Sequence, residues 1–287
     1  MESPKRSSAS RSGSTARASR RVAARAAILT LATLTPALPA CSYPTGDTAD
    51  RSECVPLHLV GSVPLPNSVA VPTDVTFRLT FDDYPDPDQV RSDSILLTSG
   101  YFWVPGSYGV DLIGKTAVVR PIHALVPQLG YSLHLRPALS SLAGCPGSSE
   151  DIEFITGDGP AGDTPQPPAT FDSVQRIFTT RCAGAGCHLE GGDKGGACLA
   201  APAAGLSLCA PEAWGALVAV PSREDNQLLR VESGNSARSY LLRKLLPAAG
   251  SGGPITGVYG QREPPGEPLP EDQLRTVARW IDGGALR

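Results

Sequence analysis

A chain of 287 residues is long enough for two ordinary domains, each with a core of its own. Seven of its 25 basic residues and one of its 28 acids fall within the first 40 positions, leaving 18 basic against 27 acidic residues and a net charge of −9 beyond them. That balance argues against nucleic acid as a partner, because a phosphate backbone needs a basic face, and it suits a basic protein partner instead.

Residues 1–25 carry Lys5, Arg6, Arg11, Arg17, Arg20, Arg21 and Arg25 against Glu2 alone, and an apolar run follows from Ala26 to Ala40. A basic segment, a short apolar core and small residues before a cut point predict a secretory signal over residues 1–40, not a membrane span. Leu38-Pro39-Ala40-Cys41 resembles a bacterial lipobox, which implies cleavage before Cys41 and a lipid on its sulfur. Pro39 departs from the small or aliphatic residue usual there, and an ordinary secretory signal with an incidental Cys is the alternative. Ser19-Arg20-Arg21 hints at twin-arginine export. No later apolar run approaches the roughly 18 residues that a membrane span needs. Residues 41–53 read as a polar tether.

Residues 54–156 read as strands. Val75, Phe77, Leu79 and Phe81 alternate with Thr76, Arg78 and Thr80, the period of a half-buried strand. Similar runs occur at Ser94–Thr98, Tyr108–Ile113, Thr116–Val119, Tyr131–Leu135 and Ile152–Thr156, separated by Pro, Gly, Asn and Asp clusters at the spacing of a β-sandwich. The arrangement resembles the bacterial Ig-like domains of surface proteins and lipoproteins. Pro64-Leu65-Pro66-Asn67-Ser68-Val69 and Leu125-Val126-Pro127-Gln128-Leu129-Gly130 carry that resemblance, and it implies a spacer or adhesive module without chemistry. His58, His123 and His134 fall among these segments and read as structural.

Residues 157–169 form a Pro/Gly-rich linker, after which the period becomes helical. Phe171, Val174, Ile177 and Phe178 make one amphipathic stripe, and Tyr240, Leu241, Leu242, Leu245 and Leu246 suggest a second. Pro270, Glu271 and Asp272 open a last helix with Leu274, Val277, Trp280 and Ile281 as its buried stripe, and Gly283 and Gly284 end it.

Of the seven cysteines, Cys41 is the lipid candidate and six remain, an even number suited to an oxidising compartment. Cys54 and Cys145 bracket the sandwich as a plausible staple, and Cys198 and Cys209 sit close enough for another. Cys182-Ala183-Gly184-Ala185-Gly186-Cys187-His188 is the motif that carries chemistry. Covalent haem needs two thiols to reach its two vinyl groups and an adjacent imidazole for the iron. Four residues separate the thiols here, wider than the common two, and all four are small enough to lie against a flat macrocycle.

Around that motif, Gly205-Leu206-Ser207-Leu208, Ser236-Ala237-Arg238-Ser239-Tyr240-Leu241, Pro264-Pro265-Gly266 and Trp280-Ile281-Asp282-Gly283-Gly284-Ala285 follow in an order that resembles the cytochrome c-like domains of planctomycete and myxobacterial exported proteins. The resemblance covers residues 170–287. It implies an all-α domain with covalent haem c on Cys182 and Cys187 and His188 as the iron ligand. One departure matters. In that family a Met just before the paired prolines supplies the sixth ligand, whereas Glu263 stands here and the only Met of the chain is Met1. The expected haem is therefore five-coordinate, or bound by water or an oxygen ligand, with a lowered potential.

Two alternatives use the same residues: a Cys182–Cys187 disulfide in a domain that has lost haem, or a zinc site from Cys182, Cys187, His188 and Cys198 or Cys209. No hydrolase or nucleotide signal appears. Gly191, Gly192, Gly195 and Gly196 surround Lys194 without the features of a phosphate loop, and Glu150, Asp151 and Glu153 read as solvated. The expectation is a non-enzymatic, lipid-anchored electron carrier facing the periplasm, on the outer membrane rather than the inner. Its redox partner is unspecified. The alternative is a non-redox envelope interaction protein.

Overall fold

The computed structural model describes residues 54–162, 167–182, 187–188, 198, 202–248 and 254–287. The expected signal over 1–40, the tether 41–53 with Cys41, the four residues between the paired thiols and the glycines around Lys194 lie outside the described residues. No helix among the described residues is long and apolar enough to cross a membrane.

Nine strands form the N-terminal part: β1 (Leu59–Val63), β2 (Ser68–Val71), β3 (Phe77–Phe81), β4 (Ile95–Ser99), β5 (Phe102–Trp103), β6 (Gly106–Asp111), β7 (Thr116–Pro121), β8 (Gly130–Leu135) and β9 (Glu150–Thr156). They make a four-stranded sheet ordered β1-β3-β7-β6 and a five-stranded sheet ordered β2-β9-β8-β4-β5. Pairing is antiparallel except for β2, which lies parallel to β9.

The period-two pattern explains the layering. On β3, Phe77, Leu79 and Phe81 are buried while Arg78 is exposed; on β9, Ile152, Phe154 and Thr156 are buried while Asp151 and Glu153 are exposed. The two inner faces meet where the Phe77 and Phe154 rings tilt together at 5.3 Å between centroids. Each of these fully buried side chains contributes about 2 kcal/mol through the area it removes from water. Cys54 is joined to Cys145, 91 residues later, beside the Leu57–Gly147 bridge that closes this end of the sandwich.

Beyond residue 170 the described residues form a few helices joined by loops, with isolated β-bridges at Val218–Val231, Pro221–Leu229 and Pro247–Pro254, rather than the all-α domain expected. The helices are α1 (Phe171–Arg181), α2 (Ala213–Leu217), α3 (Tyr240–Leu245) and α4 (Glu271–Asp282), with short 3₁₀ turns at Ala203–Gly205 and Ser236–Arg238. Helices α1 and α4 pack through the expected stripes, with the Phe171 and Trp280 rings 5.2 Å apart. Asp282 fixes the Ser236 turn to the end of α4, accepting from the Ser236 N–H at 2.8 Å and its hydroxyl at 3.0 Å. The Trp214 and Trp280 indoles donate to the carbonyls of Ala285 and Leu286 at 2.9 and 2.8 Å, holding the C-terminal residues down.

The linker does not hold the two parts apart. Its first residues are pinned back on the sandwich: Gly157 donates to Val71 O, and the Asp74 carboxylate accepts from the N–H groups of Ala161 and Gly162 at 2.8 and 3.1 Å. Those two donors keep the Asp74 carboxyl below its ordinary pKa, with the Ala161 N–H the larger influence. At the linker's far end Pro168 lies against Gly283, where any Cβ would collide with it. Tyr84 and Leu112, from sandwich loops, are buried in the same apolar cluster as α1 and α4. The Tyr84 hydroxyl donates to Pro247 O at 2.8 Å, Arg275 pairs with Asp111 at 3.1 Å, and Arg238 pairs with Asp88.

Candidate functional site

The C-terminal part encloses a cavity with a mainly apolar lining that includes Leu206, Leu208, Leu217, Leu241 and Leu245. Two walls bound it. One is built on the Ala203–Gly205 turn and the extended residues after it, tied to the motif by hydrogen bonds from Ala203 N to Cys187 O at 2.8 Å and from Leu208 N to His188 O at 3.1 Å. The other is α3 with the loop from Tyr259 to Pro265, tied together where Glu263 N donates to Lys244 O at 2.9 Å.

His188 is buried in the first wall. Its Nδ1 lies 3.0 Å from Leu206 O, a contact that makes Nδ1 the protonated nitrogen, and Nε2 has no hydrogen-bond partner among the described residues. Burial holds the imidazole below its ordinary pKa, which the bond to Leu206 only partly offsets, so the ring is neutral at neutral pH. A neutral imidazole with one nitrogen anchored to a carbonyl is the form that ligates a metal.

Cys182 caps the end of α1, its N–H donating to Phe178 O at 2.9 Å, and its side chain lines the same cavity. It is a free thiol, pushed up to about 12 first by burial and then by the nearby Glu263 carboxylate. Such a thiol is a poor nucleophile on its own. Cys187 is oxidised in a disulfide, though not with Cys182. The expected alternative of a Cys182–Cys187 bridge is thus absent. Cys198 is joined to Cys209, 11 residues on, which withdraws both from the expected zinc set because a disulfide sulfur is no longer a thiolate ligand. Among the described residues, no three His, Cys, Asp or Glu side chains converge to hold a bare metal ion.

The cavity's polar side was not legible in the sequence. The Glu224 carboxylate accepts from the Tyr240 hydroxyl at 2.7 Å and from Lys244 Nζ at 2.8 Å, and the Tyr259 N–H donates to the Tyr240 oxygen at 3.2 Å. Burial, then the bond to Glu224, holds Tyr240 far above its usual pKa, so the phenol stays protonated. Arg230 is buried and donates to Ala216 O at 2.8 Å and to Ala204 O at 3.4 Å, joining the base of the first wall to α2. Arg223 lies flat against Gly205, whose φ of +60° suits glycine and whose missing Cβ leaves room for the guanidinium. These residues are scattered between Arg223 and Tyr259 and share no motif. Only Tyr240 belonged to a recognised pattern, as one member of an apolar stripe.

The three histidines of the sandwich are remote from this cavity. His58 and His123 are exposed, and His134 bridges Thr98 and Asp151 at 3.0 and 2.7 Å across neighbouring strands.

Of the three residues that covalent haem would use, Cys182 and His188 line this cavity and Cys187 is not among its lining residues. An anchored imidazole and a thiol line one mostly apolar cavity, with guanidinium and ammonium groups along its polar side. Cys187 is available for a thioether only once its disulfide is reduced.

No curated protein matches the sequence. Among solved structures, the N-terminal part of the bacterial S-layer protein SbsC aligns at 18% identity over 40% of this chain and 29% of that one, with a TM-score of 0.30. CopC from Methylosinus trichosporium OB3b aligns at 16% identity over 38% of this chain and 99% of that one, also at 0.30. L,D-transpeptidase 1 of Mycobacterium tuberculosis aligns at 18% over 35% and 39%, at 0.25. The chain therefore spans less than a third of the S-layer fragment. Residues 54–156 match the family model described as a bacterial Ig-like domain, and the sandwich of this chain is Ig-like.

Proposed function

We propose that residues 170–287 carry one covalently bound haem c and that the protein is an electron carrier of the cell envelope. The observation that supports this reading most is His188, with Nδ1 anchored on Leu206 O and Nε2 without a hydrogen-bond partner among the described residues, lining the same mostly apolar cavity as Cys182. His188 binds the iron, and Cys182 and Cys187 hold the macrocycle by thioethers. The apolar lining would exclude water, and Arg223 and Arg230, which also line the cavity, would supply positive charge for the carboxylates of a haem. The haem contributes a one-electron couple, and without a Met ligand its potential is low.

The protein is exported and extracytoplasmic, anchored by lipid on Cys41 to the outer membrane and facing the periplasm. The Cys54–Cys145 and Cys198–Cys209 disulfides and the Ig-like domain support that location. The net charge of −9 beyond residue 40 suits a basic redox partner.

A second reading has an observation of its own. Cys187 is in a disulfide, which suits an envelope interaction protein whose cytochrome-like part no longer binds haem. Expression with working haem-attachment machinery separates the two. The first reading requires a red protein with a c-type pyridine haemochrome and an intact mass raised by one haem; colourless protein of unmodified mass refutes it and leaves the second.

A further inference from the structure

We infer that the end of the sandwich carrying Tyr101, Phe102 and Trp103 docks on the surface of a lipid bilayer. The inference is independent of the haem reading above and uses no residue of the cavity.

The strand register gathers an apolar tip at one end of the sandwich. Tyr101 follows the turn at Gly100, whose φ is +57°, and Phe102 and Trp103 form β5, paired with Ser99 and Thr98 of β4. Their exposures are 106%, 79% and 54%. The loop after β7 joins them there: Ile122 N donates to Pro105 O at 3.0 Å, and the Ser99 hydroxyl donates to Gly130 O at 3.1 Å, beside Leu129. Ile122, Val126 and Leu129 are exposed as well. This end points away from the helical part, because β6 begins here at Gly106, opposite Pro121, and finishes at Asp111, which pairs with Arg275. A cluster of large apolar side chains left in water marks an interaction surface.

Two observations select the occupant. Directly opposed residues of an antiparallel pair share a sheet face, and successive residues alternate. Trp103 therefore stands on one face with Thr98 and Phe102 on the other with Ser99, while Tyr101 tops the turn. A partner docked on a single face would leave the other aromatic in water, whereas a bilayer interface surrounds the tip, and Trp and Tyr rings favour that level. The second observation is charge. There is no carboxylate from Gly100 to Val110 or from Ala117 to Leu135, although the chain beyond residue 40 carries a net charge of −9. Arg78 and Arg120 are exposed at this end. Asp74 and Asp158, which flank it, are engaged by the Ala161 and Gly162 N–H groups and by Gln128 Nε2, and β8 and β4 separate Glu153 from Trp103. An apolar tip flanked by guanidinium groups suits an anionic headgroup surface.

The test uses the mature chain from Ser42, exported behind a cleavable signal so that no acyl chain contributes, with vesicles of phosphatidylethanolamine and a minority of phosphatidylglycerol. The protein is expected to float with the vesicles and its tryptophan emission to move to shorter wavelength. Trp103→Phe is expected to keep flotation and lose most of that shift, because Trp214 and Trp280 lie in the helical part. Phe102→Ser and Trp103→Ser are each expected to weaken partitioning roughly tenfold, as the loss of one large apolar side chain from the interface requires. Both positions are exposed, so the fold is not at stake. Val55→Ser, exposed beside Cys54 at the other end, is expected to change nothing. Wild type left at the bottom of the gradient, or tip variants that float as well as wild type, overturns the inference. A wild-type dimer that Trp103→Ser separates overturns it too, because the tip would then seat a second copy of the chain.

Discussion

The burial of Leu112 beside α1 and α4 makes the stability of the C-terminal part depend on a residue in the sandwich. Leu112 lies in the turn between β6 and β7 and is 1% exposed, in a cluster with Trp280 and Val277. Replacing it with Ala removes methyl groups from a closed site and leaves a cavity, costing about 3 kcal/mol. For a chain of this size that is a fall of roughly 6 to 12 °C in Tm. Fluorescence can assign the loss to one part. Of the three Trp residues, Trp103 is in β5, whereas Trp214 and Trp280 lie beyond the linker. A Trp103→Phe background, mild because Trp103 is 54% exposed, makes emission a report on the C-terminal part alone. Leu112→Ala in that background is expected to move the Trp214 and Trp280 transition by the full amount, in one cooperative step. An unmoved C-terminal transition would refute the shared core.

Other outcomes are equally specific. Asp282 is held above its ordinary pKa of 3.8 by burial, against two opposing bonds from Ser236. The folded state therefore keeps a proton that the unfolded chain releases near pH 4, and stability drops as pH rises from there through the folded pKa. Asp282→Asn keeps both Ser236 bonds and removes the charge, so it should flatten that slope and raise Tm at pH 7 when the two proteins are melted across pH. Reducing Cys54–Cys145, which closes a 91-residue separation, should cost about 4 to 5 kcal/mol in a guanidinium titration of a Cys54→Ala/Cys145→Ala protein. Gly205→Ala puts a Cβ at positive φ and into Arg223; it should lower stability by about 1 to 2 kcal/mol in the same titration. On the haem reading, Cys182→Ser should lower covalent haem severalfold on a haem-stained gel, and unchanged staining would separate Cys182 from attachment.

What the sequence disclosed depended on how regular each burial pattern is. Strand β3 was legible because Phe77, Leu79 and Phe81 are buried and Arg78 is not. The same held for α1 and α4, whose stripes bury at helical spacing. Strands β1, β2 and β5 gave no such signal: Gly61 interrupts β1, β2 is four residues long, and both residues of β5 are exposed. Helix α2 spans five residues, too few for a period to show. Tyr84 sits in a loop, and Leu112, expected inside a strand over Tyr108–Ile113, lies just past the end of β6 at Asp111 and turns toward the helices, so the contact between the two parts was hidden, and residues 157–169 looked like a spacer. The motif pointed to Cys182 and His188 because it is contiguous. Tyr240 and Lys244 are one turn apart on α3, but Glu224 reaches them only through tertiary folding, and the pairing state of Cys187 cannot be read from spacing.

The Cys54–Cys145 bond also decides how the molecule carries mechanical load. Tension applied upstream of Cys54 passes directly to Cys145, so the 91 residues of that loop cannot be drawn out and roughly 300 Å of potential extension is locked away. From Cys145 the path runs through Ser141, which donates to the Cys145 carbonyl, to Leu142, which donates to Tyr84 O, and then across the Tyr84–Pro247 bond. A pull on the chain upstream of Cys54 thus reaches the helical part through a short covalent and hydrogen-bonded strut, bypassing the strands between Cys54 and Cys145.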